Sequence, residues 1–197
     1  MDPLTLIFLG PQGSGKGTHI AMVKEYIAAH DARAVVTFSA GSALRAFAEG
    51  SGYTQEQVRP LISAGKLVPT FITTSLFAQD LLAHFTGSEH LVFDGFPRTI
   101  EQVPDLDSAL EFYNRTKVMV VSMVLSDEVA TERLIKRGRH DDTKEGILER
   151  LRWSREEASS VKQWFQSHPR YRWIDIDGDH SIEDVHKDIM EKLGLTQ

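Results

Sequence analysis

The feature that most constrains this chain is the run Gly10-Pro11-Gln12-Gly13-Ser14-Gly15-Lys16-Gly17-Thr18. Before it stands Leu4-Thr5-Leu6-Ile7-Phe8-Leu9, short, apolar and rich in strand formers, which reads as a strand buried on both faces. After it, Ile20, Val23, Lys24 and Ile27 recur at helical spacings between Lys16 and His30. A strand, a glycine loop and a helix in that order let backbone N–H groups turn inward onto phosphate oxygens. The helix N-terminus adds a favourable dipole and the lysine a point charge. The Gly10…Gly15-Lys16 spacing matches the general phosphate-loop pattern. It departs from that pattern in one respect, since Gly17 follows the lysine and the hydroxyl comes at Thr18.

The remaining chain alternates strands and helices. Strands are predicted over Ala34–Phe38, Leu91–Phe93, Val118–Leu125 and Arg172–Ile176. Helices are predicted over Ser42–Glu49, Thr54–Ala64, Pro69–Phe85, from Ser126 to near Gly138, over Thr143–Phe165, and after Ser181. Ser126 followed by Asp127 and Glu128, and Ser181 followed by Asp184, are helix-start signals. This order implies an α/β fold of three layers, with a five-stranded, mostly parallel sheet and helices on both faces.

Composition removes several classes. The chain has 197 residues, a length for one domain with small insertions, and a net charge of −6, which argues against a nucleic-acid partner. It has no cysteine, so disulfides and thiolate zinc sites are excluded and a reducing cytoplasm is the expected compartment. No apolar run reaches the ~20 residues that span a bilayer. The eight histidines show no metal-ligand spacing. Trp153, Trp164 and Phe165 are expected to pack against the sheet. The charge is uneven, because residues 133–155 hold eight basic against four acidic side chains, a surplus of four.

Four further runs carry chemistry. Phe93-Asp94-Gly95-Phe96-Pro97-Arg98-Thr99 begins where a strand ends, the place where open α/β sheets collect ligands. Arg98 there can hold a phosphate through two parallel hydrogen bonds, and Asp94 can hold magnesium through water. Phe38-Ser39-Ala40-Gly41-Ser42-Ala43-Leu44-Arg45 places an arginine early on a helix behind small residues. Gly65-Lys66-Leu67-Val68-Pro69 reads as a hinge between helices. Arg133, Arg137, Arg139 and Arg150 surround the pair Asp141-Asp142.

In this order the runs resemble the adenylate-kinase-like nucleoside monophosphate kinases, in the form with a short lid. The resemblance covers nearly the whole chain and implies reversible, magnesium-dependent transfer of a phosphoryl group from ATP to AMP, giving two ADP by direct in-line displacement. It implies that Gly13, Ser14, Gly15, Lys16, Gly17, Thr18, Arg133 and Gly178 bind ATP, with Arg133 stacked on the adenine. It implies AMP binding by Ala40, Arg45, Val68, Gly95, Arg98 and Gln102. Lys16, Arg98, Arg137, Arg139 and Arg150 would serve the transferring group, with Asp94 on magnesium and Asp141 and Asp142 latching the lid. An acceptor flap over residues 39–69 and a lid over 137–142, without structural zinc, are expected, as is a cytoplasmic monomer without membrane or nucleic-acid partners.

Three positions depart from the family form. Gln12 replaces a proline, Ala40 a threonine and Ser42 an aspartate. Ala40 favours a UMP/CMP kinase as the alternative, whereas Gln102, four places after Arg98, favours adenine. The three departures and the brief lid also motivate a reading of another class, a nucleotide-binding regulatory protein with impaired transfer.

Overall fold

Thr5–Leu9 forms β1, and all five of its residues are buried. A strand with two buried faces must lie inside its sheet. The computed structural model, which describes residues 2–139 and 142–195, places it at the centre. Val35–Ser39 is β2, His90–Asp94 β3, Val118–Val124 β4 and Tyr171–Asp177 β5, in the order β2-β3-β1-β4-β5. Every pairing is parallel, with Phe8 opposite Asp94 on one side and opposite Val121 on the other. Parallel pairing gathers the C-terminal ends of all five strands at one edge, and the glycine loop leaves β1 there.

The helices are α1 (Lys16–His30), α2 (Ala40–Glu49), α3 (Tyr53–Ser63), α4 (Thr70–His84), α5 (Val103–Phe112), α6 (Asp127–Arg137), α7 (Lys144–Gln166) and α8 (Ile182–Leu193). On one face of the sheet, Leu6, Phe8, Val121 and Ile176 pack with Ile20, Val23 and Ile27 of α1 and with Val185 and Ile189 of α8. On the other face, Ile7, Phe93 and Val120 pack with Phe77 of α4, Leu106 and Leu110 of α5, and Phe165 of α7. Truncating any one of these side chains to alanine would cost about 2–5 kcal/mol. Leu44, Ala48 and Val58 form a separate small core with Val68 and Ile72, so α2 and α3 carry packing of their own.

Three details depart from the sequence expectations. The helix expected from Ser42 begins at Ala40, directly after β2. A short 3-10 turn over Ile100–Gln102 and the helix α5 occupy a stretch in which no element is expected. Trp153 does not pack against the sheet: its indole reaches the loop after α3, where its Nε1 donates to the carbonyl oxygen of Gly65 at 2.9 Å. Phe165 is fully buried on the sheet and Trp164 half-buried beside it, as expected. Ser126 and Ser181 cap α6 and α8, accepting from the backbone N–H of Val129 and Asp184. No described helix is long and apolar enough to cross a membrane.

Candidate active site

A cleft of about 1030 Å³ opens along the C-terminal edge of the sheet. Its floor is the loop after β1. Gly13 sits at φ 87°, and a Cβ there would lie 2.8 Å from the carbonyl oxygen of Ala130. Only glycine lets the loop turn this tightly against α6. Lys16 folds back over the loop, its Nζ donating to the carbonyls of Gly10 and Pro11 at 2.8 and 2.7 Å and to Ser14 Oγ at 3.2 Å. These contacts hold the ammonium across the mouth of the loop. Burial, reinforced by the charges of Arg98 and Arg137, pushes its pKa down to about 8, and Asp94 acts in the opposite direction.

The end of β3 supplies a second wall. Asp94 Oδ2 accepts from Ser39 Oγ at 2.9 Å, which ties β3 to the end of β2. Arg98 Nε donates to the carbonyl of Gly95 at 3.1 Å. The Arg98 backbone N–H donates to Gln102 Oε1 at 2.7 Å, so Gln102, which is 2% exposed, shapes the turn that presents the guanidinium. Gly41 leaves room for two guanidinia, since a Cβ there would stand 3.3 Å from Arg45 and 3.3 Å from Arg98. Arg45 Nη2 donates to Ser42 Oγ at 3.3 Å. Burial, with the charges of Arg45 and Arg150 adding to it, lowers Arg98 to about 10, partly offset by Asp94.

α6 and α7 close the far side. Asp142 is the joint between them. Its carboxylate accepts from Arg137 Nε and Nη2 at 2.9 and 2.8 Å, from Arg150 Nη2 at 2.9 Å and from the Arg139 backbone N–H at 3.2 Å. Burial disfavours the charged carboxylate, but the hydrogen bonds and charges of these arginines outweigh it and hold the Asp142 pKa below the usual range. Asp141, expected to share the latching role, lies outside the described residues. Arg133, Arg137 and Arg139 line the cleft with Gly178, whose N–H donates to the carbonyl of Val124 at 2.8 Å.

The structure therefore gathers Gly13, Gly15, Lys16, Gly17, Thr18, Arg45, Asp94, Gly95, Arg98, Arg133, Arg137, Arg139 and Gly178 around one cleft. Ser14 lies beneath the loop, and Arg150 reaches the site through Asp142. Ala40, Val68 and Gln102 are buried behind the wall that carries Arg98 rather than open to the cleft. Lining residues to which the sequence assigns no site role include His19 and Trp153. Trp153 could have been suspected from its place three residues after Arg150, on the same face of α7. His19 is 3% exposed, with its ring stacked on His186 at a centroid distance of 6.0 Å.

The donor set suits a magnesium ion that arrives with its ligands. Asp94 and Thr18 offer hard oxygen, and no cluster of three or more histidine or acidic residues exists among the described residues. Such a site would hold the ion mainly through substrate phosphates and water.

Comparison with known proteins places the chain. The sequence profile of the family described as adenylate kinase matches residues 8–169. An adenylate kinase of Corynebacterium glutamicum (strain R) is 34% identical over 192 residues, which are 97% of this chain and 99% of the relative. One of Corynebacterium urealyticum is 32% identical, covering 92% of this chain and 94% of the relative. One of Prochlorococcus marinus (strain MIT 9515) is 30% identical, covering 95% and 97%. With the glycine loop, the Asp94–Arg98 turn and the arginines around Asp142 in one cleft, and relatives matched along nearly their full length, the chain belongs to the adenylate kinase family.

Proposed function

We propose that the cleft catalyses the reaction of its family, reversible phosphoryl transfer from ATP to AMP to give two ADP. The observation that carries this reading is the concentration of positive charge around one cleft. Lys16, Arg98, Arg45, Arg137 and Arg150 influence one another's charge around Asp94, and Asp142 pairs with two of them. A site whose cations repel one another is stabilised by a polyanion. A cleft of about 1030 Å³ is also large enough for two nucleotides.

In this reading the N–H groups around Gly13 and Gly15 and the Lys16 ammonium hold the donor phosphates of ATP. Lys16 exchanges its loop carbonyls for phosphate oxygens on binding. Arg45 and Arg98 hold the acceptor phosphate. Arg137, Arg139 and Arg150 meet the charge that spreads over the moving group. No covalent intermediate is needed, because alignment and electrostatics supply the acceleration for this chemistry. Asp94 and Thr18 would help hold magnesium brought in with ATP, which would supply further charge neutralisation. The flap, residues 39–69, and the lid, residues 137–142, exclude water so that ATP is not hydrolysed. Arg133 and Gly178 flank the donor base.

Adenine is the acceptor base supported by Gln102. Its Oε1 accepts from the Arg98 backbone N–H behind the cleft, so the amide would reach a base edge only after this side of the cleft opens. The exocyclic amine of adenine would then rely on backbone carbonyls near Val68.

The test is a set of initial rates with ATP and each of AMP, CMP, UMP and GMP. AMP is expected to be fastest. Faster turnover of UMP or CMP would replace the acceptor, and tight ATP binding with no ADP formed would point to a regulatory protein.

A further inference from the structure

The geometry points to Trp153 as a positioning residue for the acceptor half of the site, an inference that rests on the function proposed above. Trp153 lies on α7, three residues beyond Arg150, and is 9% exposed. Arg150 bonds to Asp142, whereas Trp153 bonds to Gly65 at the end of the flap. Its Nε1 donates to Gly65 at 2.9 Å across 88 residues of sequence. An indole N–H is a donor only, so the direction of this bond is fixed. The same ring lies beneath Arg98, whose guanidinium carbon is 5.9 Å from the ring centroid. One side chain thus touches both the end of the flap and the arginine expected to hold the acceptor phosphate.

Gly65 is itself a pinned point. Its φ is +69°, and a Cβ added to it would lie 2.2 Å from the carbonyl oxygen of Gly146, in the first turn of α7. Helix α7 therefore grips this residue twice, by backbone contact at Gly146 and by the hydrogen bond from Trp153. The Gly65 and Lys66 amides donate to Ile62 and Leu61, closing α3 immediately before the loop to Val68 and α4. Without the indole donor the buried Gly65 carbonyl loses its partner and the loop loses its register on α7. Without the ring face Arg98 loses a surface that fixes its plane. Both losses fall on the acceptor side, and neither touches the glycine loop that faces ATP.

Two substitutions separate the contacts. Trp153→Phe keeps a ring under Arg98 and removes the donor, whereas Trp153→Leu removes both. Calorimetric titrations with AMP and with ATP, run beside steady-state kinetics, are expected to show AMP affinity reduced about fivefold in the first and about thirtyfold in the second. ATP affinity should stay within about twofold in both. Hydrogen exchange read without nucleotide should show the Gly65 and Lys66 amides opening about tenfold faster in Trp153→Phe, with β1 unchanged. If Trp153→Leu does not fold, the phenylalanine variant carries the test alone through these two readouts. AMP and ATP weakening together, AMP unchanged, or exchange rising uniformly over the chain would each overturn the inference. Should the wild-type chain form no ADP, the proposed function fails, and the exchange measurement still decides the role of Trp153.

Discussion

Asp142 grips Arg137 through both carboxylate oxygens, at 2.9 and 2.8 Å. The same carboxylate holds Arg150, and its side chain is only 1% exposed. A guanidinium on a long, flexible stem loses rotamer entropy on engaging a ligand, and a fixed carboxylate partner lowers that cost. Asp142→Ala is therefore expected to lower kcat by about 10- to 100-fold while moving the KM for ATP and AMP much less. Steady-state kinetics would read this split. A kcat within twofold of wild type would mean that the joint does not serve the transfer step.

Lys16 sits with its pKa lowered to about 8 by burial and by Arg98 and Arg137. Bound phosphates favour the ammonium and raise that pKa again. ATP binding near pH 9 should then take up close to one proton, and binding near pH 7, where Lys16 is already charged, about a tenth of one. Calorimetry in two buffers of different ionisation heat measures the uptake. It should vanish in Lys16→Met, which should also lose about 10³-fold in kcat.

How much of this was legible in the sequence follows from the range of each interaction. The glycine loop, the Asp94–Arg98 turn and the serine caps at Ser126 and Ser181 are local, and each is readable because its partners lie within a few residues. Helix α5 left a signal that is easy to pass over. Val103, Leu106 and Leu110 are its buried face, and Pro104 marks its first turn, where a proline is tolerated. The bond from Trp153 to Gly65 was not legible, since an aromatic residue on an amphipathic helix reads as core and Gly65 is 88 residues away. Asp142 was marked as a latch by resemblance. That it clasps two of the cleft's arginines depends on α6 and α7 packing through Leu134 and Ile147, which no local pattern announces.

Gly65 provides a packing test independent of catalysis. An alanine there would need a positive φ that side chains disfavour, and would drive its Cβ to 2.2 Å from the Gly146 carbonyl. Backbone on both sides leaves little room to yield. Gly65→Ala should lose about 2–4 kcal/mol of unfolding free energy in denaturant titration. Gly87→Ala also sits at positive φ, at 120°, but has nothing within 4 Å of its Cβ. It should lose less, and equal losses would mean that the α7 contact carries no weight.

The histidine behind the glycine loop should make stability fall in mild acid. Burial, with the charges of His186 and Arg133 added, lowers the pKa of His19 to about 4 from an ordinary 6.5. Between these two values the unfolded chain binds a proton that the folded chain refuses. Stability should therefore be full above about pH 6.5 and decline as the pH falls toward 4. His90 and His186, both lowered chiefly by burial, act in the same direction. His19→Gln, which keeps a polar side chain of similar reach but does not titrate, should flatten this decline and leave the change above pH 7 unaltered. Urea unfolding at about pH 7, 6 and 5 would measure the slopes. Parallel curves for wild type and His19→Gln would show that the His19 ring accepts its proton in the fold as readily as in water, contrary to its enclosure between α1 and α8.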